Sequence, residues 1–193
     1  METGGTLLLV PTELELAELE SLGGFAARVE LCGFGPVAAA ARTAQLVAQH
    51  SPAEVLLLGI AGSFEPVRLP IGSVSSFREV AIDGIGAGFP QWAGVHDRIA
   101  LAPLTRGVLD PLLLTACTAS ASPAQAKQRR ERFPGVLAED MEGFGVALAC
   151  SLAGVPCTIV RGISNAVGER DKSRWRIPEA LAAARRIVLE HLR

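Results

Sequence analysis

Carboxylates at two places in the chain define the chemistry that the fold has to position. Glu139, Asp140 and Glu142 fall within Ala138-Glu139-Asp140-Met141-Glu142-Gly143, at the opening of a small-residue helix over Gly143 to Leu152. Glu13 and Glu15 follow an apolar run that ends in Val10-Pro11-Thr12. A third polar group, Arg161, Ser164 and Asn165, is expected in a polar loop that follows an apolar strand, in Val160-Arg161-Gly162-Ile163-Ser164-Asn165, with Asp171 and Trp175 just beyond. An ionised carboxylate accepts hydrogen bonds and can direct a water or take its proton. In open α/β sheets the carboxyl ends of strands are where ligands bind, and polar groups buried there without a partner cost stability.

The elements that must hold these groups follow from pattern and punctuation. Thr6 to Val10 predicts a buried strand, and Thr12 predicts the cap of a following helix. Thr12 with Glu15 three residues on forms a capping box, which by itself accounts for Glu15. Ala27 to Cys32 predicts a second strand, and Gly33-Phe34-Gly35-Pro36 a tight turn opening a helix with Val37, Ala40, Ala41, Ala44, Val47 and Ala48 inward. Gly33, Gly35 and Ala38 also meet a loose dinucleotide-binding pattern. The acid that pattern needs after the next strand is missing, because Val55 to Leu58 runs into Gly59-Ile60-Ala61-Gly62-Ser63. That stretch reads as a strand-end turn whose backbone N–H groups a ligand can approach.

Downstream, Ala81 to Arg106 is a glycine-rich loop without a period, carrying Phe89 and Trp92. Leu112 to Thr118 reads as a strand, and Pro123 to Phe133 as a basic helix with Lys127, Arg129 and Arg130 facing solvent. Cys157 to Val160 predicts a central strand and Pro178 to Leu192 an amphipathic terminal helix. Strands alternating with helices predict a three-layer α/β/α sandwich with a central mixed sheet, one domain over residues 1–193.

Bulk properties narrow the function classes. The 193 residues, 49% of them hydrophobic, suffice for one domain with a sizeable core. A net charge of −2 offers no field for nucleic-acid phosphates or an anionic membrane. The apolar run Leu7 to Val10 is too short to span a bilayer and has no basic flank, so no leader or membrane segment is expected and the cytoplasm is the default location. Cys32, Cys117, Cys150 and Cys157 form no metal-binding spacing and are expected as small buried hydrophobes, and His50, His96 and His191 are scattered; no metal site is expected.

The run Glu139 to Gly143 followed by Val160 to Asn165 resembles the purine nucleoside phosphorylase and nucleosidase superfamily. Within it the chain is most similar to the futalosine hydrolases, relatives of the methylthioadenosine/S-adenosylhomocysteine nucleosidases. Gly33 to Ala40 is similar to the family's glycine turn and alanine-rich helix, Gly59 to Ser63 to its Gly-Ser-Ala-Gly-Gly segment, and Pro70 to Val74 to the start of its next strand.

The resemblance implies hydrolysis of an N-glycosidic bond without a cofactor. Glu15 corresponds to the catalytic glutamate that directs water, with Glu13 in that role if the loop is read two residues shorter. Glu142 would accept from vicinal ribose hydroxyls, Met141 would pack on the sugar with Asp140 beside it, and Ile60, Ala61 and Gly62 would contact the nucleoside. Asn165 stands where adenine-releasing relatives have Asp. An amide NH2 can donate to a 6-oxo group while its oxygen accepts from a protonated N7, so Asn165 points to hypoxanthine, which the futalosine hydrolases release in menaquinone formation. Asp171 is the nearby acid expected to help deliver a proton, and Trp175 is expected over the site or the core. The family's base-stacking aromatic corresponds to Ala119 and has no equivalent here; the 5' substituent falls to Phe89, Trp92 and their loop. Two acids and no cation in the first-strand loop favour water over phosphate. A homo-oligomer with sites near subunit contacts is also implied. A methylthioadenosine/S-adenosylhomocysteine nucleosidase or a purine nucleoside phosphorylase is the alternative within the superfamily, and a dinucleotide-dependent oxidoreductase and a non-catalytic nucleoside-binding module are the rival readings outside it.

Overall fold

The computed structural model describes residues 4–85, 97–104, 107 and 109–193. In chain order it has β1 (Gly4–Val10), α1 (Glu13–Ser21), β2 (Arg28–Leu31), α2 (Pro36–His50), β3 (Pro52–Ser63), β4 (Val74–Asp83) and β5 (Arg98–Ala100). These are followed by β6 (Leu109–Ala116), α3 (Pro123–Arg132), β7 (Val136–Asp140), α4 (Gly143–Ala153), β8 (Cys157–Ala166) and α5 (Ile177–His191). The sheet is mixed. β1 lies parallel between β2 and β3, and β3 runs parallel to β8. β8 turns antiparallel to β4, which pairs parallel with β6 and antiparallel with β5. β7 is parallel to β6 and meets the end of β3 antiparallel.

The central strands are apolar without interruption because both of their faces are covered. In β1, Leu7 and Leu9 face one layer and Leu8 and Val10 the other; in β3, Val55 and Leu57 alternate with Leu56 and Leu58 in the same way. The first layer is α2 and α4, contributing Leu46, Phe144 and Cys150; the second is α1 and α5, contributing Leu19, Leu181 and Val188. This is the expected three-layer sandwich. α2 and α4 pack backbone to backbone at Gly145, where a β-carbon would collide with the Pro36 carbonyl oxygen. That close approach brings the turn before α2 to the start of α4.

Four expectations are corrected. Gly59 to Ser63 is not a turn, and Arg161 to Asn165 is not a loop: both are strand, paired with each other from Gly59↔Arg161 through Gly62↔Asn165 with a bulge after Ala61. Their backbone groups are satisfied by the ladder, so polar side chains coexist with regular strand. Glu139 and Asp140 lie in β7, a five-residue strand that the sequence reading passed over. Cys32, Cys150 and Cys157 are buried as expected, whereas Cys117 is exposed. Phe89 and Trp92 lie outside the described residues. Among the described residues no helix is long and apolar enough to cross a membrane.

Candidate active site

A cavity of about 420 Å³ opens at the ends of β3, β7 and β8. Glu15, Ile60, Ala61 and Gly62 border it from α1 and β3, and Asp140, Met141, Glu142 and Asn165 from β7, its exit and β8. Gly62 links the two strands, pairing with Asn165 on one side and Glu139 on the other.

Glu15 is 5% exposed although it lies in the first turn of a helix. Its N–H donates to the capping Thr12 Oγ1 at 3.3 Å, its Oε2 accepts from the same hydroxyl at 2.6 Å, and its Oε1 reaches across to accept from the Ile60 N–H at 3.0 Å. The cap and the site therefore use the same residue, and the reach of Oε1 ties α1 to β3. Glu13 is exposed and does not border the cavity.

Arg161 is the residue that organises the acids, and the sequence reading gave it no role. Its side chain is fully buried. Nε and Nη2 both donate to Asp140 Oδ2, at 3.0 and 2.6 Å, and Nη2 lies 3.4 Å from Glu142 Oε2. Burial opposes its charge, but Asp140, Glu142 and Glu15 outweigh burial and hold its pKa above the ordinary value. Nη1 is buried with no acceptor among the described residues. A β-carbon on Gly59 would collide with Nη1 and lie 2.8 Å from Glu15 Oε1, so those two atoms face the same small space. A charged residue inside an otherwise apolar strand was the available signal, since such a residue is buried only when paired.

Asp140 borders the cavity, yet its carboxylate is used up within the protein. Oδ1 accepts from Thr115 Oγ1 at 2.6 Å, and Oδ2 from Arg161 and from the Gly143 N–H at 2.9 Å. Thr115 Oγ1 in turn accepts from the Phe144 N–H at 2.8 Å. Asp140 and Thr115 thus satisfy the first donors of α4, which leaves Glu142 free of any side-chain capping bond although it occupies the N-cap position. Glu142 Oε1 instead accepts from the Gly35 N–H at 3.0 Å. Burial pushes the Glu142 pKa up to about 7, against the opposing pull of Arg161 and with a further push from Asp140. The Gly33-Gly35 turn consequently spends an N–H on an internal carboxylate, where a dinucleotide-binding turn would meet a phosphate. Cys32 lies close to the same charges, and burial raises its thiol to about 12, far from thiolate chemistry at neutral pH.

The Asn165 amide is oriented from both ends. Its Oδ1 accepts from Ser164 Oγ at 2.7 Å and its Nδ2 donates to the Ala166 carbonyl at 2.8 Å. One N–H and one lone pair remain for a ligand. Glu139 supports the far wall: Oε1 accepts from the Ser120 N–H and Oε2 from Ser120 Oγ, both at 2.7 Å, and Oε2 also accepts from Arg129 Nη1 at 2.9 Å. Arg129 bonds Asp83 as well, at 2.8 Å, and is 8% exposed, which corrects its expected solvated position. Ala119 and Ser120 face the cavity beside this network.

Asp171 does not join the site. It caps a short 3₁₀ turn, Lys172–Arg174, accepting from the Ser173 N–H and Oγ at 3.0 and 2.7 Å. Those bonds, to the Ser173 hydroxyl first, hold its pKa below the usual carboxylate range, the wrong direction for a proton donor. Trp175 does border the cavity, half-buried, with Nε1 donating to the Glu169 carbonyl at 3.2 Å.

Comparison with known proteins places the chain in a family. Residues 21–193 match the phosphorylase superfamily. The chain is 39% identical over 170 residues to the futalosine hydrolase of Streptomyces coelicolor, covering 78% of this chain and 72% of that one. It is 32% identical over 210 residues to the futalosine hydrolase of Thermus thermophilus, covering 94% and 92%. The native structure of Helicobacter pylori futalosine hydrolase has the same fold, with a TM-score of 0.82 at 17% identity over 98% of this chain and 97% of that one. So does the Neisseria meningitidis 5'-methylthioadenosine/S-adenosylhomocysteine nucleosidase in complex with methylthio-immucillin-A, with a TM-score of 0.82 at 21% identity over 98% of both chains. Identity and coverage of this extent mean that the chain belongs to the phosphorylase superfamily and, within it, to the futalosine hydrolase family.

Proposed function

We propose that the protein hydrolyses the N-glycosidic bond of futalosine, a 6-oxopurine nucleoside, and releases hypoxanthine. It is an N-glycosyl hydrolase by family, and the observation that carries the substrate is the oriented Asn165 amide. With Nδ2 anchored on the Ala166 carbonyl, a flipped amide would set two acceptors 2.8 Å apart, so the amide cannot readily invert to suit a 6-amino group. The remaining N–H donates to a 6-oxo group and the remaining lone pair accepts from N7 as that nitrogen gains its proton.

In this mechanism the sugar becomes oxocarbenium-like as the base departs. Glu15 directs a water in the cavity and draws its proton as the water oxygen bonds to the anomeric carbon and the glycosidic bond breaks. The electron pair of that bond passes into the purine, where Asn165 stabilises it. Glu142, ionised, accepts from the vicinal ribose hydroxyls, and Met141 packs on the ring. Asp140 positions Arg161 and does not touch the sugar. The proton for N7 comes from solvent, since Asp171 is committed to its cap.

The same reading includes a single working domain, a cytoplasmic site of action and a homo-oligomer. Leu14 and Phe34, 63% and 66% exposed, stand at the mouth of the cavity, and Val37 and Leu152 expose further apolar surface on α2 and α4, which supports subunit contacts near the site. Substituting Asn165→Asp tests the substrate assignment: the ratio of adenine to hypoxanthine release should rise by about ten- to a hundredfold, the worth of one mismatched buried hydrogen bond. An unchanged ratio would remove Asn165 as the base-reading residue.

A further inference from the structure

The floor of the cavity is acidic, with Glu15, Glu139, Asp140 and Glu142, whereas its mouth carries two cations, Arg170 and Lys172. Both belong to the segment between β8 and α5, which follows one side of the opening. Gly168 at its start abuts Ser122 beside α3, and Ile177 at its end packs, as Leu16 of α1 does, against the core cluster that includes Leu19 and Leu181. The acids of this segment are already engaged. Glu169 pairs with Arg174 at 3.1 Å, and Asp171 takes the Ser173 donors and lies 3.5 Å from Arg174. Neither the Arg170 nor the Lys172 side chain has a hydrogen-bond or ion-pair partner among the described residues. Two uncompensated cations on a cavity wall differ from an ordinary solvated face, where opposite charges alternate and pair.

The half-buried lining between the exposed cations and the buried acids is apolar, Trp175 and Ile177, and exposed Leu14 and Phe34 extend that apolar surface to the mouth. The indole is held by its bond to the Glu169 carbonyl, so its face is pre-positioned rather than free to collapse into the opening. The sequence of surfaces from inside outward is therefore acceptor, apolar, cation. A nucleoside that fits it has its sugar hydroxyls inward, an aryl or alkyl extension on the 5' carbon in the apolar ring, and an anion at the outer end. An anionic tail placed deeper would meet Glu15 and Glu142, since Asp140 and Glu139 are paired with Arg161 and Arg129, and an uncharged tail would leave both cations unused.

The geometry points to Arg170 and Lys172 as the recognition site for a carboxylate at the end of the substrate's 5' substituent, with Trp175 as the platform for the group that carries it. This rests on the proposed nucleoside hydrolysis and deepens it: it moves the 5' subsite from the Phe89 and Trp92 loop to the segment before α5. It also gives the enzyme a means to prefer a carboxylate-bearing nucleoside over one with a neutral 5' thioether that does not depend on the base.

The test compares wild-type protein with R170Q/K172Q on three hypoxanthine nucleosides: futalosine, its carboxylate methyl ester, and inosine. The double variant should raise KM for futalosine by about ten- to thirtyfold, the scale of two rim ion pairs, with kcat little changed. The wild-type preference for futalosine over its ester should shrink as salt is raised from 50 to 500 mM, since the pairs are screened. Ester and inosine hydrolysis should be unaltered, which also reports that the variant is folded. Equal losses on all three substrates, or an unchanged futalosine KM, would overturn the subsite while leaving the hydrolase reading in place. If wild-type protein cleaved inosine and methylthioadenosine but not futalosine, the substrate assignment and this subsite would both fall.

Discussion

Arg161 grips Asp140 through two donors on one oxygen, Nε at 3.0 Å and Nη2 at 2.6 Å from Oδ2, with both side chains fully buried. The pair sits between a ligand cavity and the N-terminus of α4, so a single carboxylate orients the guanidinium and caps the helix. Breaking a buried pair from one side leaves an uncompensated charge. Asp140→Ala should lower stability by about 3–5 kcal/mol, read from the urea midpoint, and should lower activity with it. A change within about 0.5 kcal/mol would mean that Arg161 finds another partner.

Glu142 makes both stability and activity depend on pH. Its pKa is raised by burial from 4.5 to about 7, so between those values the folded protein holds a proton that the unfolded chain has released. Stability then falls as pH rises from about 4.5 to 7 and is level above, by no more than about 3 kcal/mol in total. Glu142→Gln should lack this decline in urea denaturation. Sugar binding has the opposite dependence, because the vicinal hydroxyls need the ionised acceptor. KM should rise as pH drops below about 7, with the substrate drawing the group's pKa down, so kcat should hold to lower pH than kcat/KM.

Gly59 is required for space rather than for backbone freedom. A methyl there collides with Arg161 Nη1 and crowds Glu15 Oε1, displacing the guanidinium that holds the acids and the carboxylate assigned as the base. Gly59→Ala should cost about a hundredfold in kcat, the scale of an ångström of misplacement, while Gly35→Ala should act mainly on KM through the lost geometry at Glu142. If Gly59→Ala left kcat intact, the water would have to be held elsewhere.

Much of this was legible in the sequence, for identifiable reasons. Thr12 and Glu15 announce a helix start, the alternating faces of Leu7 to Val10 and Val55 to Leu58 announce covered strands, and Glu142 and Asn165 stand in runs whose order is distinctive. What was not legible was tertiary. Arg161 looked like part of a polar loop because nothing local reveals that β3 pairs with it, nor that Asp140 is 2.6 Å away. Arg129 looked solvated because its partners Asp83 and Glu139 come from two other strands. Asp171 looked catalytic by proximity in sequence to Asn165, yet its carboxylate is captured two residues on by Ser173. The length of β3 and β8 was underestimated because polar side chains on a fully paired backbone read as a loop.

Glu15 carries the hydrolytic step in this account. Glu15→Gln keeps the shape and the contact to the Ile60 N–H through its carbonyl oxygen but loses the base, so kcat should fall by two to four orders of magnitude, the usual scale for a positioned base. A loss of tenfold or less would move the base to another group.

The central claim is hydrolysis of a 6-oxopurine nucleoside with a carboxylate-bearing tail, and base release measured by chromatography tests it most directly. Futalosine, inosine, adenosine and methylthioadenosine are each incubated with the wild-type protein, with and without phosphate. Futalosine should be cleaved fastest, hypoxanthine should appear at the same rate in phosphate-free buffer, and the adenine nucleosides should trail by at least about tenfold, the cost of one mismatched buried hydrogen bond. Equal or faster cleavage of methylthioadenosine, or base release only when phosphate is added, would contradict it.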